Sequence, residues 1–154
     1  MHELSTATWW LIAASTSMTT MAATGVYEAL FVMPTWFADV PKSLALMRNR
    51  KSIKFWIPLQ IITIASVITS SILNWNISTI HTTLVAADIC FGLVWISTAV
   101  FFVPGVIAFQ KLDLSKPAPL GLAARGHRWL RLSWLRQGAM IASALCFAIT
   151  LAVI

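Results

Sequence analysis

Four long apolar runs divide this chain, at roughly 8–33, 55–75, 80–109 and 132–154. A helix needs about 20 residues to cross a bilayer, and each run is long enough. The pattern predicts an all-α fold, a bundle of four transmembrane helices. It forms a single integral membrane domain over 1–154, because almost nothing remains for a soluble one. Polar positions inside the runs are few and regularly spaced. In the first run, Thr16, Thr20, Thr24 and Glu28 recur every fourth residue, which predicts a stripe facing other helices or a cavity. Ala13, Ala14, Ser17, Ala22, Ala23 and Gly25 leave room for a close neighbour. Gln60, Thr63, Ser66, Ser70 and Asn74 give the second run a polar side. His81, Asp88 and Trp95 follow at steps of seven and share nearly one face of the third. Arg136 and Gln137 stand within the first two turns of the fourth.

Aromatic residues and prolines mark the ends. Trp9-Trp10 opens the first run as an interfacial belt, and Pro34 and Trp36 close it. Phe55-Trp56-Ile57-Pro58 begins the second, which places Pro58 in a first turn where its missing N–H costs little. Pro41-Lys42-Ser43-Leu44 predicts a short surface helix with Leu44 and Met47 toward lipid. Pro117, Pro119, Gly121 and Gly126 predict an irregular loop over 110–131. Ala29-Leu30-Phe31-Val32-Met33-Pro34 also echoes Ala99-Val100-Phe101-Phe102-Val103-Pro104, which suggests two related helical hairpins.

Composition strengthens the membrane reading. The chain is 58% hydrophobic and 10% charged, with mean hydropathy +0.80. Its net charge of +6 would suggest nucleic acid in a soluble protein. Here the cations flank the apolar runs, so they read as orientation signals, with no nucleic-acid partner. Lys42, Arg48, Arg50, Lys51 and Lys54 fill one connection, and Lys111, Lys116, Arg125, Arg128 and Arg131 the other. The positive-inside rule then puts loops 35–54 and 110–131 in the cytoplasm and both termini outside. The first run follows no basic residue and is too long for a signal peptide, so it reads as a retained helix. Cys90 and Cys146 fall inside runs and read as packing residues. His81, His127 and His2 are scattered over both sides, so no metal site is expected, although His2 is a candidate neighbour for His81.

Depth along each helix brings the polar residues to one level. At about 1.5 Å per residue, Glu28 lies roughly 9 Å inside the cytoplasmic edge. Thr98, Gln60, Arg136 and Gln137 come out at a similar depth. An unpaired carboxylate in hydrocarbon is costly, and an arginine at equal depth can satisfy it. The expectation is a Glu28–Arg136 pair helped by Gln60, Gln137 and Tyr27, either as a structural clamp or beside a pocket. The alternative has Arg136 reaching back to the cytoplasmic edge. Asp88 lies nearer the outside, with Ser66, Thr69, Thr20 and Ser143 as candidate neighbours.

Several of these residues carry a resemblance. Tyr27-Glu28, Pro34-x-Trp36, Pro41-x-Ser43-Leu44 and Phe55-Trp56-Ile57-Pro58-Leu59-Gln60 look like those of a group of small bacterial four-helix membrane proteins. The arrangement also resembles the anthrone-oxygenase-like family, through a glycine-containing first helix that runs into a proline. Arg128-Trp129-Leu130-Arg131-Leu132-Ser133-Trp134-Leu135-Arg136 resembles that family's Trp/Arg-rich opening of the last helix. The resemblance implies a cofactor-independent oxygenase acting on a polycyclic phenolic anthrone. Such chemistry needs a base for a carbon-bound proton and a group to hold the resulting anion. Glu28 or Asp88 are the candidate catalytic bases. Tyr27, Gln60, Trp95 and Arg136 are the candidate substrate-binding residues, with Trp56 and Phe31 as further ring contacts. The partners expected are membrane lipid and a small aromatic ligand. A non-catalytic subunit or scaffold, binding lipid or a partner protein, is the competing reading. A channel would need a homo-oligomer or larger complex, because four spans are few for one pore.

Overall fold

Ser5 opens the first helix, its hydroxyl accepting the Thr8 N–H at 3.2 Å as an N-cap. The computed structural model describes residues 5–48 and 53–154. His2, Glu3, Arg50 and Lys51 lie outside them. The described regular structure is all helical: α1 (Thr6–Tyr27), α2 (Leu44–Arg48), α3 (Ile53–Asn74), α4 (His81–Ser97), α5 (Val103–Gln110) and α6 (Leu122–Val153). A π-helical turn over Glu28–Val32 and a 3-10 turn over Met33–Phe37 prolong α1, and a second π-helical turn over Thr98–Phe102 joins α4 to α5.

Three stretches are long and apolar enough to cross a membrane: Lys54–Asn74, His81–Gln110 and Leu122–Val153. The first run has the length in α1, but its many Ser and Thr residues keep it less hydropathic than these three. Their surfaces are inside-out relative to a water-soluble protein. Thr63, Ser66, Ser70 and Asn74 of α3 are buried, while Ile57, Ile61, Ile68 and Ile72 face outward. Lipid, unlike water, is a solvent in which that arrangement is favourable.

The long helices pack in the order α3, α1, α6, α4, while α3 and α4 barely meet. Hydrogen bonds stitch the close pairs. Ser17 and Ser66 hydroxyls meet at 3.1 Å, and Asn74 Nδ2 donates to the Ala7 carbonyl at 3.2 Å, tying α3 to α1. Gln137 Nε2 donates to the Ala22 carbonyl at 2.7 Å, tying α6 to α1. Ser143 donates to the Ala87 carbonyl at 2.9 Å, and Thr150 to Thr83 at 2.9 Å, tying α6 to α4. Two apolar cores result. One is built on Leu11, Met18, Leu84, Met140 and Phe147, the other on Trp36, Phe37, Leu44, Phe109 and Trp129.

Several sequence expectations change. Residues 122–131 are helix, so the irregular loop over 110–131 shrinks to 111–121. Leu122, Gly126, Trp129 and Ser133 form a buried face at helical spacing, with Arg125, Arg128 and Arg131 opposite. Gly126 does not break the helix, because its bare Cα is where Phe37 packs. Gly121 precedes α6 at φ 76°, a conformation that favours glycine. Within the loop, the side chain and then the backbone N–H of Ser115 hold the Asp113 carboxyl below the usual carboxylate range.

Leu44 and Met47 point into the second core instead of toward lipid, because Arg48 docks α2 onto the end of α5. Arg48 Nε donates to the Gln110 carbonyl at 2.8 Å and its Nη2 to Leu112. That contact puts both basic connections at one end of the molecule. Pro58 sits inside α3 instead of in its first turn. The Thr16–Thr20–Thr24 stripe does not turn inward. Thr20 and Thr24 hydroxyls donate to the carbonyls four residues back, at 2.9 and 2.8 Å, and need no other helix. Each four-residue step also drifts by about 40° around the axis, so Glu28 reaches the buried side while Thr16 and Thr20 stay outside.

A methyl group at Gly126 would run into the Phe37 ring, whereas one at Gly138 meets nothing within 4 Å. Gly126→Ala should therefore destabilise by about 1–3 kcal/mol through overpacking. Gly138→Ala should be neutral or stabilising by up to about 1 kcal/mol. Thermal unfolding of the two purified variants in detergent checks the pair.

Candidate functional site

The two π-helical turns begin seventy residues apart, at Glu28 and Thr98, and each precedes a proline at the sixth position on, Pro34 and Pro104. Proline offers no N–H and crowds the preceding turn, so the helix relaxes locally into a wider one. The Met33 N–H then reaches the Glu28 carbonyl, and the Val103 N–H reaches that of Thr98. Both turns lie where the two cores separate. The space between them is a cavity of about 430 Å³. Met21, Val94 and Met140 from one core form part of its wall, and Met33, Phe102 and Trp129 from the other. Small-molecule sites span roughly 300–1,000 Å³.

Glu28 is 6% exposed, and its Oε1 accepts the Trp56 indole N–H at 2.7 Å. Arg136 is on the same cavity. Its Nη1 approaches Thr98 Oγ1 at 3.4 Å, and its guanidinium carbon lies 4.2 Å from the Phe102 ring centroid. Gln60, Thr98 and Gln137 also line the wall. The five residues set at one depth by helical rise thus border a single space.

Gln137 is positioned by its bond to the Ala22 carbonyl and by Gly25, where any Cβ would collide with its Oε1. Trp95 and Trp129 border the cavity, but their indole nitrogens are buried, with no hydrogen-bond acceptor among the described residues, and that of Trp129 packs against Gly105. An indole N–H can only donate. Gln60 and Arg136 put amide and guanidinium donors on the wall, suited to a ligand carrying acceptor oxygens.

Four of the six proposed site residues therefore meet at the cavity: Glu28, Gln60, Trp95 and Arg136. Tyr27 does not. It is 58% exposed and lies against Phe31 on the outer surface, with ring centroids 5.4 Å apart. One residue before Glu28 is about 100° away around the helix, which turns Tyr27 and Phe31 outward. Asp88 does not border the cavity either. It lies on a separate groove between α3 and α4, where its Oδ1 accepts from Ser71 at 2.8 Å. Its suggested neighbours are engaged elsewhere, Ser66 with Ser17 and Ser143 with the Ala87 carbonyl. Sequence reasoning missed Trp56 as the Glu28 donor and Trp129 as a wall residue. Trp129 was legible only through the buried face of α6, which the loop assignment hid. Among the described residues, no three His, Cys, Asp or Glu side chains cluster to hold a metal ion.

No family model, curated protein or solved structure matches this chain.

Replacing Trp56 with Phe keeps the ring but removes the donor to Glu28. Hydrogen bonds of this kind are worth roughly 1–3 kcal/mol when one partner is left buried. Trp56→Phe should lower the unfolding free energy by about that amount, read by denaturation in detergent. A variant as stable as the parent would show that the indole does not secure Glu28.

Proposed function

We propose that the protein is a four-helix membrane bundle, with α1 as the fourth span, that oxidises a flat phenolic aromatic in the cavity beside Glu28. The observation that carries this reading is a buried carboxylate at the wall of an apolar cavity that also holds an arginine and a glutamine amide. A scaffold would fill that space, so the cavity favours a ligand. The two hairpins, α1 with α3 and α4 with α6, are read as related halves. The basic connections face the cytoplasm and both termini the other side, with lipid around the outward-facing isoleucines.

The chemistry follows the anthrone-oxygenase resemblance. Glu28 is the base that removes a proton from the ring carbon between two aromatic rings. The electrons left behind spread onto the phenolic oxygens, which Arg136 and the Gln60 amide hold. Dioxygen takes up those electrons at the same carbon, and a returned proton makes a hydroperoxide. Loss of water leaves a carbonyl. The sum is CH2 + O2 → C=O + H2O, with dioxygen as the oxidant and no cofactor. Trp95 and Trp56 flank the ring, and Gln60 and Gln137 bound it.

Turnover of a supplied hydroxylated anthrone, followed by oxygen uptake and quinone absorbance, tests this. Glu28→Gln should reduce the rate by about 10²–10⁴-fold, the usual contribution of a general base. Asp88→Asn should leave it within about twofold, because Asp88 faces a different groove. An unchanged rate in Glu28→Gln would remove the reaction from this site.

A further inference from the structure

The Asp88 groove is a second site that the oxygenase reading does not use. It is a channel of about 570 Å³ between α3 and α4, open along the seam where those helices barely meet. At its outer end stands Trp75, which is half-exposed and braced edge-on by the His81 ring, with centroids 4.9 Å apart at 77°. Phe91 forms part of the wall, and Ile68 and Ile72 line the α3 side. Asp88 is half-buried within a stretch apolar enough to span a membrane. Its one described hydrogen bond comes from a neutral hydroxyl, Ser71. Among the described residues, no cation stands within ion-pair distance of it.

A carboxylate in such surroundings is costly without a positive partner. Elsewhere in the fold, buried polar side chains find hydrogen-bond partners on a neighbouring helix, as Ser17 does on Ser66 and Gln137 on the Ala22 carbonyl. Here the neighbouring helix supplies only a hydroxyl, and open space takes the place of a base. Aromatic faces attract cations electrostatically, most of all when the cation is weakly hydrated. Isoleucine walls favour an apolar body. We propose that this groove binds a lipophilic organic cation, its charge on Asp88 and against Trp75 and Phe91, its hydrocarbon along Ile68 and Ile72. The ligand reaches it from the bilayer through the α3–α4 seam. This inference is independent of the oxidation proposed at Glu28.

Tetraphenylphosphonium is a suitable probe, because its charge is permanent and its four rings are apolar. Its binding to the full-length protein in nanodiscs is measured by equilibrium dialysis with labelled probe, against empty nanodiscs. Saturable one-site binding is expected, weakened at least tenfold in Asp88→Asn and at least threefold in Trp75→Ala. Glu28→Gln should bind as the parent does. Asp88→Asn preserves the oxygen that accepts from Ser71, so its fold should hold, checked by circular dichroism and size exclusion. If Asp88→Asn binds as tightly as the parent, or the parent binds no better than empty nanodiscs, the proposal fails. Loss of binding in Glu28→Gln with Asp88→Asn unaffected would overturn it equally, by moving the cation to the other cavity.

Discussion

Away from water, a polar side chain has to find its hydrogen-bond partner within the protein, and that constraint shapes this molecule. Ser17 meets Ser66, Gln137 reaches the Ala22 carbonyl, and Ser143 reaches that of Ala87. Apolar side chains gain little by leaving lipid for a helix interface, so directional contacts and close packing carry more of the specificity. These bonds fix which helix faces which neighbour. They also explain why α3 buries its hydroxyls and turns its isoleucines outward.

The same rule accounts for where space remains. The close pairs α1–α3, α1–α6 and α4–α6 are each stitched twice or by a buried amide, whereas α3 and α4 share the Ser71–Asp88 bond at a loosely packed seam. The groove lies on that seam. The cavity lies where two π-helical turns widen the chain between two separately packed cores. Helix type, dictated locally by Pro34 and Pro104, thereby becomes a feature of the binding site. Glu28 and Thr98 occupy equivalent first positions in those turns, so the same backbone geometry presents a carboxylate after α1 and a hydroxyl after α4.

The two sites differ in their electrostatic character. The cavity presents the Arg136 guanidinium and the Gln60 amide, with the Glu28 carboxylate already accepting from Trp56. The groove carries a carboxylate and aromatic faces but no described cation. A ligand rich in acceptor oxygens suits the first and a cation the second. Neither preference follows from size or hydrophobicity alone, since both spaces are mainly apolar.

Much of this was open to a reader of residues alone. Periodicity is local, so the helical class and the polar face of α3 followed from spacing, and helical rise put Glu28, Gln60, Thr98, Arg136 and Gln137 at one depth. The echo around Pro34 and Pro104 marked the two places where helix type changes. Partnership is not local. That Trp56 bonds Glu28, that Tyr27 turns to the outside, and that Asp88 faces a groove of its own depend on how each helix rotates against its neighbours. Leu44 and Met47 were misread for a related reason: an apolar side chain suits lipid and protein interior equally, and only the docking of Arg48 decides between them. The start of α6 was misread because Gly126 resembles a helix breaker until Phe37 packs against it.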